Sequence, residues 1–168
     1  MRNLWKGVLA LSMISMALGV SAPAQAASGI GPYYATPSWD QTLPAATRFI
    51  VLTNMNSEAV LDRETGLVWE LSPGTGLRTW NDALNYCTRK TVGNRNGWRL
   101  PIIQELASLR DPTVPFPGPA LPAGHPFIDV QSFEYRSAST DVTSATRAWL
   151  VDFRFGLGTN SKSATGYV

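Results

Sequence analysis

Six prolines fall between residues 112 and 126, at positions 112, 115, 117, 119, 122 and 126. Proline lacks a backbone N–H and locks φ, so neither a helix nor an inner strand survives that spacing. The stretch is predicted to be a long ordered surface loop. It divides the chain into a first part with hairpin and helix signals and a last third that reads as strands.

Before the loop, "RFIVLT" (48–53) is a strand candidate. "AVLDRETGLVWEL" (59–71) holds two apolar runs around Asp62–Gly66, a hairpin in which Gly66 supplies the positive φ of the turn. "TWNDALNYCTRK" (79–90) is predicted helical: Thr79 is an N-cap, Asp82 sits at the third helical position, and Trp80, Ala83, Leu84 and Cys87 share one face. "GNRNG" turns the chain. A second helix is expected from Pro101, with Ile103, Leu106, Ala107 and Leu109 or Arg110 on its inner face and edge and Asp111-Pro112 as its stop.

After the loop, "QSFEYRSAS" (131–139) alternates Phe133 and Tyr135. "RAWLVDF" (147–153) sets Trp149, Val151 and Phe153 against Leu150 and Asp152. Residues 156–166 read as a turn followed by a weak strand into Tyr167-Val168. Two helices packed on a small, mostly antiparallel sheet with long loops make an α+β fold.

The N-terminus carries Arg2 and Lys6, a 14-residue stretch (7–20) of apolar and small residues, Pro23, and Ala24-Gln25-Ala26. That is the three-part pattern of a secretory signal peptide, and it is shorter than the roughly 20 apolar residues of a bilayer span. Residues 1–26 are therefore read as signal, 27–47 as an N-terminal arm or linker, and 48–168 as the domain. Of 14 Lys+Arg and 12 Asp+Glu, two cations leave with the signal and the remainder balances to zero. No basic run speaks for nucleic acid. No membrane span is expected after cleavage, and the expected location is periplasmic, cell-surface or secreted.

"VLDRETGLVWE", "TWNDALNYC", "GWRLPIIQELASL", "PALPAGHPF" and "AWLVDF" occur in that order over residues 58–168. Together they resemble the DUF1566 family, the domain at the C-terminus of the collagen-like adhesin of Legionella. That resemblance implies a compact C-type-lectin-like fold. The Arg99-Leu100-Pro101 and Glu105 element is also similar to the formylglycine-generating sulfatase-modifying enzymes. In both families the stretch belongs to the corner of the fold, so Trp98, Arg99, Leu100, Pro101 and Glu105 are assigned structural roles, with Arg99 free to pair with Glu105. Trp80, Cys87 and Trp149 complete the structural set.

The chain departs from the family pattern in three places. Ile102 stands where a capping Thr or Ser is usual. Arg136 stands where a large aromatic is usual, so that position is either less buried here or altered. Family members also continue past the Tyr-Val pair into a strand carrying a cysteine that pairs with the helix cysteine. The resemblance thus implies a chain truncated before its last strand, with Cys87 left alone. Cys87 then has three readings: a buried thiol, an intermolecular disulfide that could support a homo-oligomer, or a reactive nucleophile.

The residues suggest no catalytic, metal or cofactor set. His125 is the sole histidine and lies in the proline loop, "SPGTGLRT" lacks the Lys-Ser/Thr of a phosphate loop, and no cluster of calcium ligands is visible. The resemblance implies a non-catalytic binding module for a glycan or other cell-surface ligand. Loop 111–126 and segment 136–147 are its candidate surfaces, with Arg136 and Arg147 as candidate holders of an anionic sugar. The alternatives are an enzyme on a sulfatase-modifying-factor-like fold and a degenerate family member.

Overall fold

The computed structural model describes residues 27–29 and 43–168. The predicted signal segment and residues 30–42 of the predicted arm lie outside the described residues. The fold is α+β, as expected, but its strands form two sheets. The first has the order β1 (Ala27–Gly29), β2 (Phe49–Leu52), β3 (Ala59–Asp62), β4 (Val68–Glu70). β1 runs parallel to β2, and the other pairs are antiparallel. The second is the antiparallel set β5 (Glu134–Thr140), β6 (Arg147–Asp152), β7 (Gly156–Ser161).

The hairpin between β3 and β4 turns where the glycine predicts. Gly66 has φ 71° and donates its N–H to Asp62 O at 2.8 Å. The 48–53 strand starts one residue late, because Arg48 closes a single helical turn, α1 (Ala45–Arg48), with its N–H on Pro44 O at 2.9 Å. Helix α2 (Trp80–Arg89) begins as predicted. Thr79 Oγ1 accepts from Asp82 N at 3.4 Å, and Ala83 and Cys87 are buried.

Helix α3 (Ile103–Ala107) is shorter than expected. Its N-cap is Ile102, so Pro101 lies outside the helix instead of at its first position. Pro101 O accepts the N–H of Ala138 at 2.7 Å. Leu109 and Arg110 close tight turns on Leu106 O and Ala107 O, and the helix has ended before Asp111-Pro112 is reached.

The proline segment has no helix or strand, but it is not simply a surface loop. Ala120 and Leu121 are buried, and Ala120 N–H donates to Phe153 O at 2.8 Å. Leu121 joins Phe49, Val60, Leu106, Tyr135 and Val151 in the main core, so loop, α3 and both sheets share one apolar centre. The end of the chain departs most from expectation. Residues 156–161, read as a turn, form the six-residue strand β7, registered from Gly156 opposite Asp152 to Ser161 opposite Arg147. Its Gly, Thr and Asn side chains give no apolar alternation, and the strand is held by backbone pairing to β6. Half of segment 136–147 is likewise strand, residues 136–140 and 147, with 141–146 left as a turn.

Candidate functional site

The corner at 98–105 is built locally. Arg99 meets Glu105 through two nitrogens, at 2.7 and 2.5 Å, and Glu105 also accepts the Ile102 N–H at 2.9 Å. This is half of a capping box, because the isoleucine side chain has no oxygen to offer in return. The Arg99 hydrogen bonds hold the Glu105 carboxyl below its ordinary value, against the opposing effect of burial. Trp98 packs on the cluster that contains Ile50 and Met55, while Leu100 is buried with Ala83 and Cys87. Ile103 N–H donates to Ser139 Oγ at 3.0 Å, which fixes the corner to β5. Trp80 does the same for α2, its indole N–H donating to Ser137 O at 2.9 Å.

Behind this corner lies a cavity of about 280 Å³. It brings together Cys87, Trp98, Arg99, Leu100, Pro101, Glu105 and Arg136, while Trp80, Trp149 and Arg147 lie elsewhere. Trp69, Leu106, Tyr135 and Phe153 give it an apolar floor, and the Lys90–Glu70 ion pair stands in its wall. Burial raises the pKa of the Cys87 thiol, only partly opposed by the Lys90 charge, so the thiol is the protonated form of a poor nucleophile. His125 does not line this cavity. Its ring tilts against Phe127 at 5.9 Å, and burial lowers its pKa. Among the described residues no group of three or more His, Cys, Asp or Glu is placed to hold a metal ion.

The two candidate arginines do not form a site together. Arg136 stands opposite Leu150 of β6, and Arg147 lies three residues along that strand, so the two leave opposite faces of the sheet. Arg147 is exposed and donates to Thr159 O and Oγ1, both at 2.7 Å. Arg136 is not a surface residue: it is 1% exposed, and it donates to Ser161 O at 3.2 Å and to Ala164 O. The position usually taken by a large aromatic thus stays buried, with a guanidinium in its place. Burial draws its pKa down, partly offset by Glu134.

The surface carries a different constellation. The Arg154 guanidinium lies over the Phe133 ring at 4.3 Å and over the Phe155 ring at 5.0 Å. Phe155 in turn stacks on Phe116, with centroids 5.7 Å apart and planes 8° apart. Asp152 locks the arginine from behind, through Nε–Oδ1 at 2.9 Å and a terminal nitrogen to Oδ2 at 2.6 Å. Burial pushes the Asp152 carboxyl up, but the Arg154 side-chain and backbone hydrogen bonds outweigh it and hold the group ionised. Phe116 is 66% and Phe155 71% exposed. One ring is carried by the Pro115-Phe116-Pro117 segment and the other by the tight turn between β6 and β7, so both sit on stiff backbone.

Loop 111–126 was a candidate surface and supplies Phe116, but Arg154 and Phe155 were not anticipated. The available signal was "DFRF" (152–155), in which a salt-bridged Asp and Arg two residues apart leave an aromatic at the tip of a hairpin.

Residues 58–168 match the family model described as Lcl C-terminal domain. Neither a curated protein nor a solved structure matches the chain.

Proposed function

The chain belongs to the Lcl C-terminal domain family, and from that membership and the surface geometry we propose that it is a non-catalytic binding module of the adhesin type. In this reading the protein is exported, and the Phe133–Arg154–Phe155–Phe116 stack takes a glycan or other cell-surface ligand. The observation that carries the reading is the exposure of two parallel phenyl rings on rigid backbone. Contiguous exposed apolar surface marks interaction sites in soluble domains. Pre-ordered aromatic and arginine side chains are also the groups that contribute most to binding when buried, because little rotamer entropy is left to lose.

The stack also suggests what kind of glycan it takes. Asp152 neutralises Arg154, so the surface offers ring faces and N–H donors without net positive charge. That favours a neutral sugar with an apolar C–H face over a sulfated or carboxylated one. Arg147 lies on exposed β-sheet surface and Arg136 is buried, so neither adds a cationic patch to the stack.

The test is binding of the protein and of the Phe116→Ala/Phe155→Ala double variant to immobilised neutral and sulfated glycans, with thermal melts as a fold control. We expect wild-type binding to neutral glycans and at least about tenfold weaker binding by the folded double variant, the scale of losing one binding hot spot. Undiminished binding by that variant, or binding confined to sulfated glycans, would overturn the assignment.

A further inference from the structure

Strand β4 lies at the edge of the first sheet. Leu71 N–H donates to Glu58 O and Asp62 N–H to Leu67 O, both at 2.8 Å. In the antiparallel register these bonds make 58/71, 60/69 and 62/67 the hydrogen-bonded pairs. Val68 and Glu70 therefore turn their N–H and C=O groups away from β3. On that side their main chain has no hydrogen-bond partner among the described residues. Val68 is 39% exposed, so the edge can be reached from solvent. A sheet edge with unpaired main-chain groups is a template for another strand.

That edge borders the cavity behind the 98–105 corner. Leu67, Val68, Trp69 and Glu70 all line it. Successive side chains of a strand point to opposite faces, so the cavity meets β4 along its edge. Residues 97–101 form another wall, and the N–H groups of 97–100 donate no hydrogen bond among the described residues. The slot beside β4 is flanked on both faces of the strand: Trp69 packs on the main core, and Glu70 pairs with Lys90 of α2. None of Phe116, Phe133, Arg154 and Phe155 lines it, so the slot is separate from the surface stack.

These features define the occupant. The free main-chain groups of Val68 and Glu70 are two residues apart, about 7 Å. An extended polypeptide presents donors and acceptors at that repeat, and a sugar or a lipid chain does not. The charges of the walls are matched, Lys90 by Glu70 and Arg99 by Glu105, so they offer no counter-ion to a charged segment. A strand flanked on both faces is apolar on both. We propose that the slot takes, by strand addition, an extended uncharged segment of a partner protein, rich in β-branched residues, whose main chain pairs with Val68 and Glu70.

The experiment uses the full chain and an end-capped hexapeptide of alternating valine and threonine. Trp69 and Trp98 line the slot and report binding by fluorescence, while amide hydrogen exchange reports where the peptide sits. Saturable binding is expected, with slower exchange at the Val68 and Glu70 amides. N-methylation of every second peptide amide keeps the side chains but removes the donors of one peptide edge. Of the two such peptides, one for each edge, at least one is expected to bind at least about tenfold more weakly, the scale of losing two or three hydrogen bonds. Val68→Pro removes an outward N–H that the β3–β4 ladder does not use, and the folded variant is expected to show the same loss. The methylated peptides decide the matter where that variant does not fold. Equal binding of all three peptides, or no saturable binding, overturns the proposal. A protein that is dimeric without peptide and already protected at the Val68 and Glu70 amides overturns it in favour of a second copy in the slot. The Phe116→Ala/Phe155→Ala variant is expected to keep peptide binding unchanged, which separates failure of this site from failure of the glycan reading.

Discussion

Arg48 and Asp62 form a two-point ion pair in the interior, Nε–Oδ1 at 2.9 Å and a terminal nitrogen to Oδ2 at 2.7 Å. The same guanidinium donates to Ser108 O at 2.9 Å, so one side chain joins the end of α1, the end of β3 and the residue that closes α3. Glu64 approaches it at 3.6 Å. Removing the arginine would strand two buried carboxylates. Arg48→Met is expected to cost about 3–5 kcal/mol in urea unfolding, the range for breaking a buried pair from one side. A loss below about 1 kcal/mol, the range of exposed pairs, would show that water reaches the site.

Ile102 caps α3 with extended backbone (φ −72°, ψ 165°) and no side-chain hydrogen bond. The residue is 43% exposed. Ile102→Thr keeps that backbone and adds an acceptor for the Glu105 N–H, completing the capping box. A gain of about 0.5–2 kcal/mol is expected, read as a rise in the thermal midpoint. An unchanged or lower midpoint would mean that Ile102 makes an apolar contact worth as much as the cap.

The Arg99–Glu105 pair has a pH signature. Arg99 lowers the Glu105 pKa in the folded protein, so between the folded and unfolded values the unfolded state binds more protons and stability rises with pH. That contribution is complete above the ordinary value of 4.5 and is lost as pH falls through the lowered one. Glu105→Gln should therefore flatten the acid limb of the stability curve, while Arg99→Gln should shift it to higher pH. The Arg99 side chain is 56% exposed, so the coupling energy from the double-mutant cycle is expected to be only about 1 kcal/mol or less. Parallel acid limbs in wild type and Glu105→Gln would contradict the pairing.

Cys87 is buried and its thiol pKa is raised. Alkylation at neutral pH should be slow in native buffer and accelerate through the urea transition, because the thiolate is the reacting form and access requires opening. Native-state labelling as fast as that of the unfolded chain would show the thiol to be accessible and would favour the intermolecular disulfide.

Much of the fold could be read from the sequence where the interacting groups are close together in the chain. Thr79 and Asp82 cap α2 across three residues, Gly66 turns a short hairpin, and Arg99 reaches Glu105 across one bend. The α+β class and the corner's structural pairing follow from such signals. The length of α3 did not, because its early end comes from the turns made by Leu109 and Arg110. Nor did β7, whose polar and glycine residues form a strand only because β6 lies alongside.

The candidate site shows the same division. The sequence by itself determined the local elements, the family blocks, and an aromatic placed between prolines at position 116. Only the tertiary structure decided that Arg136 is buried, since the carbonyls it meets lie 25 and 28 residues further along. It also decided that Phe116 stacks on Phe155, and that Cys87 and Arg136 share one chamber. Hydrogen bonds within a turn are fixed by spacing along the chain. Burial and ring stacking depend on which distant surfaces the packed core brings together, and no local pattern records that.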